Sequence, residues 1–290
     1  MSTTSLGTSP FTPVAALKAA DRILGQDRLW RPVTEEQKVW LADTFTPCER
    51  QLTQIPEIDA HASTSLNDHN AFMRKHGREP QVTQIPHPGF ATAAVLDVSV
   101  EWPRVGKRTK LSVPDQGQFP AVLFEAGLSS ARHREGKREI FTLATKSDDK
   151  VLIAEAPREP TDADDLLRMA KGIFEAPTEK TYTPGLIVPM VDLACKQSLD
   201  WLIGLHTISD RREPSRVEQA LQQATFKLNE KGALARAADE MTMRNGVPRH
   251  VRIEKPFLIS IKRMDLSRPL FVAYVSFDAW KDPGRELDAK

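Results

Sequence analysis

The side chains of this sequence that could do chemistry are scattered rather than grouped. Seven histidines occur, His61, His69, His76, His87, His133, His206 and His250, and none stands at metal-ligand spacing from a cysteine or an acid. His69 and His76 lie seven apart and could share a helix face, too little alone to define a zinc site. Cys48 and Cys195 are the only cysteines. They read as two free, partly buried thiols, with one disulfide as the other option. There is no glycine-rich phosphate loop, no Gly-x-Ser-x-Gly elbow and no Cys–His pair in a local catalytic context. The expectation is a protein that is not an enzyme and uses neither cofactor nor metal.

One stretch departs from ordinary texture. Residues 233–254, ALARAADEMTMRNGVPRHVRIE, join two strand-like segments. The first part is alanine-rich and suits helix or extended chain equally. Arg244-Asn245-Gly246 makes a turn-like tip, and Val247 before Pro248 is pushed to an extended conformation. Between residues 241 and 255, Arg244, Arg249, Arg252 and Lys255 outnumber Glu254 by three charges. A connection this long inside a compact domain is uncommon, and is either functional or disordered when it occurs. Arg249, His250 and Arg252 could take a polyanion, but a solvated basic face is the simpler reading.

The elements that must carry this stretch follow from composition and pattern. The 290 residues fit one large or two modest domains, with ordinary apolar and charged fractions of 40% and 27%. Forty basic residues against 39 acidic leave a net charge of +1, so nucleic acid is not an expected partner, nor is an anionic membrane surface. No apolar run approaches membrane-spanning length. Without a basic start and apolar core at the N-terminus, a cytoplasmic location is expected, with secretion by a non-classical route left open.

Residues 1–13, rich in Ser, Thr and Pro, read as a flexible tail. Helices are expected over 14–24, over 34–45 with Thr34 and Gln37 as a capping box and Pro47 after the end, and over 66–76 with Gly77 as the stop. Residues 14–88 therefore form a helical part. From Gly89 onward β-branched runs take over: 94–102, 110–115, 119–126, 139–145, 150–157, 186–190, 224–232, 255–261 and 269–277. The acidic start of 161–174 suits a helix. Cys195, Leu199, Leu202 and Ile203 fall on one helical face of 192–206. The pattern argues an α+β fold, with a β-rich core over 89–280 and a C-terminal tail over 281–290.

Several of these segments, in this order, resemble the serpins. NEKGALARAA (229–238) is similar to the serpin hinge, VRIEKPFLISI (251–261) to the segment after the reactive loop, and RPLFVAYV (268–275) to the last strand. LIVPMVDLACKQSLDWLIGLHTISD (186–210) and KVLIAEAP (150–157) fall in family order, and AVLDVSVEW (94–102) resembles the central strand. Glu254 stands where the family has Asp, Asn or Gln, and Asp97 where it usually has Asn. Asp97 reads equally as a polar switch at the sheet opening or as a turn-capping acid. The chain is shorter than a full serpin, and HNAFMRKHGREP (69–80) is a weak counterpart of the helix in front of the sheet.

The resemblance implies a serpin-like fold of large mixed and antiparallel sheets, with N-terminal helices packed on them and an exposed reactive-centre loop. It implies a protease inhibitor that works by loop cleavage and strand insertion, with a protein partner and no cofactor. Hinge residues would be Glu230, Gly232, Ala233, Ala235 and Ala237. The bait would be Met243, Arg244 or Asn245. Arg244 would suit a trypsin-like protease, whose buried acid pairs with a guanidinium, and Met243 a chymotrypsin- or elastase-like one. In an inserted strand Ala233, Ala235, Ala237 and Asp239 share the inward face, with Leu234, Arg236, Ala238 and Glu240 outward. Burying Asp239 unpaired would cost roughly 2–7 kcal/mol. A serpin-fold scaffold or interaction module without inhibition is the alternative.

Overall fold

The computed structural model describes residues 4–25, 29–134, 138–209, 212–231 and 250–284. The N-terminal part holds β1 (Leu6–Thr8), α1 (Phe11–Ala19), α2 (Asp21–Leu24), β2 (Leu29–Arg31), α3 (Glu35–Trp40), α4 (Thr46–Gln51), β3 (Ile58–Ser63) and α5 (Leu66–Lys75). Strands then dominate: β4 (Ala91–Leu96), β5 (Lys107–Val113), β6 (Gly117–Phe124), β7 (Leu128–His133), β8 (Glu139–Ala144) and β9 (Asp149–Glu155). After α6 (Ala163–Phe174) come β10 (Thr178–Thr181), β11 (Leu186–Pro189), β12 (Val191–Ser198), β13 (His206–Ser209), β14 (Arg212–Arg216) and β15 (Leu221–Leu228). The chain closes with β16 (Val251–Arg252), β17 (Phe257–Arg263) and β18 (Phe271–Val275).

The largest sheet runs β1-β18-β17-β9-β8-β7-β10, every pair antiparallel. It is covered on both faces. Phe257, Ile259, Ile261, Phe271, Ala273 and Val275 point into the main core, while Leu258, Val272 and Tyr274 meet α6. The two-residue alternation of a strand distributes them in this way. α6 begins where Asp162 caps the Asp165 amide and presents Leu166, Ala170 and Ile173 to the sheet. A four-stranded sheet runs β16-β11-β6-β5, parallel only between β16 and β11. β14-β13-β2 form a small third sheet, and β12–β15 and β3–β4 are separate two-stranded ladders. Among the described residues no helix is long and apolar enough to cross a membrane.

Four expectations need correction. Residues 4–13 are not a tail: β1 pairs with β18, and Phe11 is fully buried. Buried polar groups hold this start in place. Gln222 of β15 accepts from the Thr8 hydroxyl at 2.6 Å and donates to the Ser9 carbonyl at 3.0 Å. Gly7 is required there, because a Cβ would sit 2.9 Å from the Phe271 ring. Second, the helix over 34–45 does not stop before Pro47. A π-helical turn at Leu41–Phe45 leads into α4, where Pro47 sits in the first turn and needs no amide partner.

Third, the segment 192–206 is not a helix. β12 pairs with β15 across eight residues, burying Val191 and Leu193 and exposing Ala194, Lys196 and Ser198. Ladder pairing overrides the helical spacing, and only a short 3-10 turn survives at Asp200–Leu202 before Gly204 at φ 85°. Fourth, the strand expected at 94–102 starts earlier and ends at Leu96. The part over 14–88 is also less helical than expected, since it contributes β2 and β3.

Candidate functional site

The long basic connection enters and leaves the described structure at two anchored ends. Upstream, β15 delivers the chain to Asn229 and Glu230. The buried Trp102 indole donates to the Asn229 carbonyl at 3.1 Å, and the Asn229 side chain accepts the Lys231 amide at 2.9 Å. The Glu230 carbonyl accepts the Gly106 amide at 2.8 Å, and its carboxylate meets Arg108 at 2.9 Å. Arg108 also reaches Asp282 at 2.7 Å. Gly106 has to be glycine, because a Cβ there would lie 2.3 Å from Val122. Of the expected hinge residues, Glu230 is thus a fixed post. Gly232, Ala233, Ala235 and Ala237, and the expected bait Met243, Arg244 and Asn245, lie outside the described residues.

Downstream, the chain is pinned to the edge of the four-stranded sheet. β16 adds parallel to β11, with the Val251 amide on the Gly185 carbonyl and the Ile253 amide on the Ile187 carbonyl. Gly185 leaves room for His250, whose ring would come within 2.9 Å of a Cβ there. Arg252 pairs with Glu254 at 3.0 Å and donates to the Ser112 carbonyl, so it is part of the edge and not a free cation. His250 lies 3.7 Å from Glu125.

Two short ladders, β12–β15 and β3–β4, stand separate from the larger sheets. Among the described residues β15 has a partner only in β12, and β4 only in β3. Polar side chains join the two ladders. Asp97, just past β4, accepts from His76 at 3.0 Å and pairs with Arg78 at 3.6 Å, while Arg78 also donates to Thr225 of β15 at 2.6 Å. The other nitrogen of His76 meets Asp59 at 3.1 Å. Asp97 therefore takes two side-chain partners, His76 and Arg78, rather than being a lone turn cap.

The remaining chemistry-bearing side chains do not converge. His69 is a buried residue of α5, and that burial, with His61 nearby, pushes its pKa down. Among the described residues no three His, Cys, Asp or Glu side chains are grouped to hold a metal. Cys48 and Cys195 are both free thiols. Burial pushes the Cys48 thiol up to about 12 and raises Cys195, which accepts the Gly7 amide at 3.1 Å. Neither is a poised nucleophile. Sequence reasoning missed Arg78, Gly106 and Arg108. For Gly106 an isolated glycine before a strand was the available signal; nothing in the sequence marked Arg78.

The serpin (serine protease inhibitor) family matches residues 190–276. No curated protein matches the sequence. Solved structures similar to the chain include Serpin48, a highly specific serpin of the insect Tenebrio molitor, at 12% identity and TM-score 0.58, covering 94% of this chain and 91% of that one. Thyroxine-binding globulin in complex with thyroxine is similar at 13% identity and TM-score 0.59, covering 94% and 92%. Mouse protein-Z dependent protease inhibitor is similar at 12% identity and TM-score 0.55, covering 94% and 90%. The chain thus has the serpin fold along nearly its whole length, and the serpin sequence pattern is recognised from Met190 to Ser276.

Proposed function

We propose that this serpin is a protease inhibitor whose segment over 232–249 is cleaved as bait near Arg244 and then enters the opening beside β15. Protease inhibition is the general activity of the family, whose members mostly act as inhibitors rather than catalysts. The observation that carries the finer reading is the interruption between the β3–β4 and β12–β15 ladders, together with the fact that β15 leads directly into the bait segment. An added strand would satisfy the unpaired backbone groups that an open strand edge leaves. Ala233, Ala235 and Ala237 on one face keep the inward side small.

Arg244 as bait selects a trypsin-like protease, because a buried carboxylate in such a pocket takes a guanidinium. The test is incubation with trypsin, followed by denaturing electrophoresis and a thermal melt. The expected result is a covalent complex resistant to SDS, lost in Arg244→Ala, and a marked rise in Tm after cleavage. Cleavage with neither complex nor rise in Tm overturns the inhibitor reading. It favours the second reading, a serpin-fold interaction module. Asp239 supports that alternative, since it shares the inward face with the three alanines.

A further inference from the structure

Buried polar atoms without a hydrogen-bond partner gather on α5 and the strand beneath it. Among the described residues they include Nε2 of His61 on β3, and Nδ1 of His69 and Oδ1 of Asn70 on α5. His69, Phe72 and His76 follow one another at three- and four-residue spacing and so share one face of α5. That face rests on β3: Phe72 stacks on His61 with ring centroids 5.2 Å apart and meets His76 at 4.8 Å. His69 is only 3% exposed.

The two ends of this face differ in charge. At the C-terminal end His76 lies between Asp59 at 3.1 Å and Asp97 at 3.0 Å, and Lys75 also reaches Asp59. A proton on His76 meets compensating carboxylates. His69 stands one to two turns earlier, about 10 Å along the helix. β3 turns Asp59 and His61 toward α5, and β4, Ala91–Leu96, holds no titratable side chain. Asp68, Arg74 and Lys75 of α5 are exposed. Among the described residues no carboxylate pairs with His69 or with His61. Burial, and then the neighbouring His61, hold the His69 pKa down.

We propose that His69 makes α5 a proton-released latch: the helix sits on the β3–β4 ladder while this imidazole is neutral and lifts from it when acid charges it. An unpaired charge is costly to keep buried, and movement of α5 off the ladder hydrates it. The direction follows from linkage. A histidine with a lowered folded pKa takes up its proton first in the open state, so docking is complete above the open-state value near 6.5 and weakens as pH falls below it. Release of α5 in this way needs no cleavage of the chain.

The test is hydrogen exchange of the intact protein, read by mass spectrometry at pH 7.5, 6.5 and 5.5 and corrected for the intrinsic rate at each pH. Protection of α5 peptides is expected to fall about tenfold per pH unit below 6.5, the slope for one proton, while β17 peptides stay protected. His69→Phe should hold α5 protection level across this range. His61→Phe should keep most of the fall, because burial of His69 is the larger cause. Level protection in the native protein overturns the latch, a result that stands even if His69→Phe does not fold. An undiminished fall in His69→Phe overturns it too, as does an equal loss of protection in β17, which is global acid unfolding.

Discussion

In the seven-stranded sheet, β18 is buried along its whole length and β17 along its first five residues, because the main core lies on one face and α6 on the other. In the β12–β15 ladder only alternate residues are buried, and polar side chains such as Thr225, Gln223 and Lys196 bind a surface segment instead of a core. The first region holds itself together by apolar burial, which no single contact controls. The second is held to its neighbour by identifiable polar bonds, each worth only about 0.5–1.5 kcal/mol. A molecule built in this way keeps its C-terminal hairpin fixed by burial and leaves the outer contacts of β15 to a few single bonds.

The largest expected effect falls in the first region. Phe257 is fully buried and packs against Trp280 with ring centroids 6.1 Å apart. Phe257→Ala should cost about 3–5 kcal/mol in urea denaturation; a loss below 1 kcal/mol would break the contrast between the two regions. Next comes the joint between the seven-stranded sheet and the start of β3. Arg263 of β17 donates to Asp149 at 2.7 Å and to Glu57, just before β3, at 2.6 Å. Arg263→Met strands the buried Asp149 carboxylate and is expected to cost about 3 kcal/mol. The third effect lies at the opening. Trp102→Phe removes the bond to the Asn229 carbonyl at a cost of about 1 kcal/mol. It should speed hydrogen exchange of the Gly106 amide, which is bonded to Glu230, and leave β17 amides protected. Uniform acceleration in both places would show that the regions are not separate.

The same contrast explains what could be read from the sequence. The hairpin of β17 and β18 was legible because apolar runs bounded by Pro256 and Pro269 leave one interpretation. The resemblance named Glu230 only as a hinge residue, and neither its fixed position nor Arg108 and Gly106 as its holders was legible. β12 was misread as a helix because Leu199, Leu202 and Ile203 follow Cys195 at helical spacing, and only its partner β15, distant in sequence, decides the matter. Residues 4–13 failed for a related reason. Ser, Thr and Gly look like a tail until Gln222 and Phe271 supply the surfaces they fit. The bonds from Arg78 to Thr225 and from Glu79 to Lys196 were illegible because they join residues far apart in the chain.

The smallest effect is also the sharpest in form. The Arg263 guanidinium beside Glu57 holds its carboxyl below the usual carboxylate range, against the opposing pull of partial burial. A carboxyl with a lowered folded pKa stabilises the protein above its unfolded value, near 4.3 for glutamate, and that stability fades as pH falls through the folded value. Glu57→Gln should therefore cost about 1 kcal/mol at pH 7 and progressively less as pH falls below ~4 toward the lowered folded value, beneath which the native carboxyl is itself protonated. Urea titrations of both proteins from pH 7 to pH 3 check this. Curves that stay parallel across that range would remove Glu57 from the joint and leave Asp149 as the sole carboxylate through which β17 is tied electrostatically to its surroundings at Arg263.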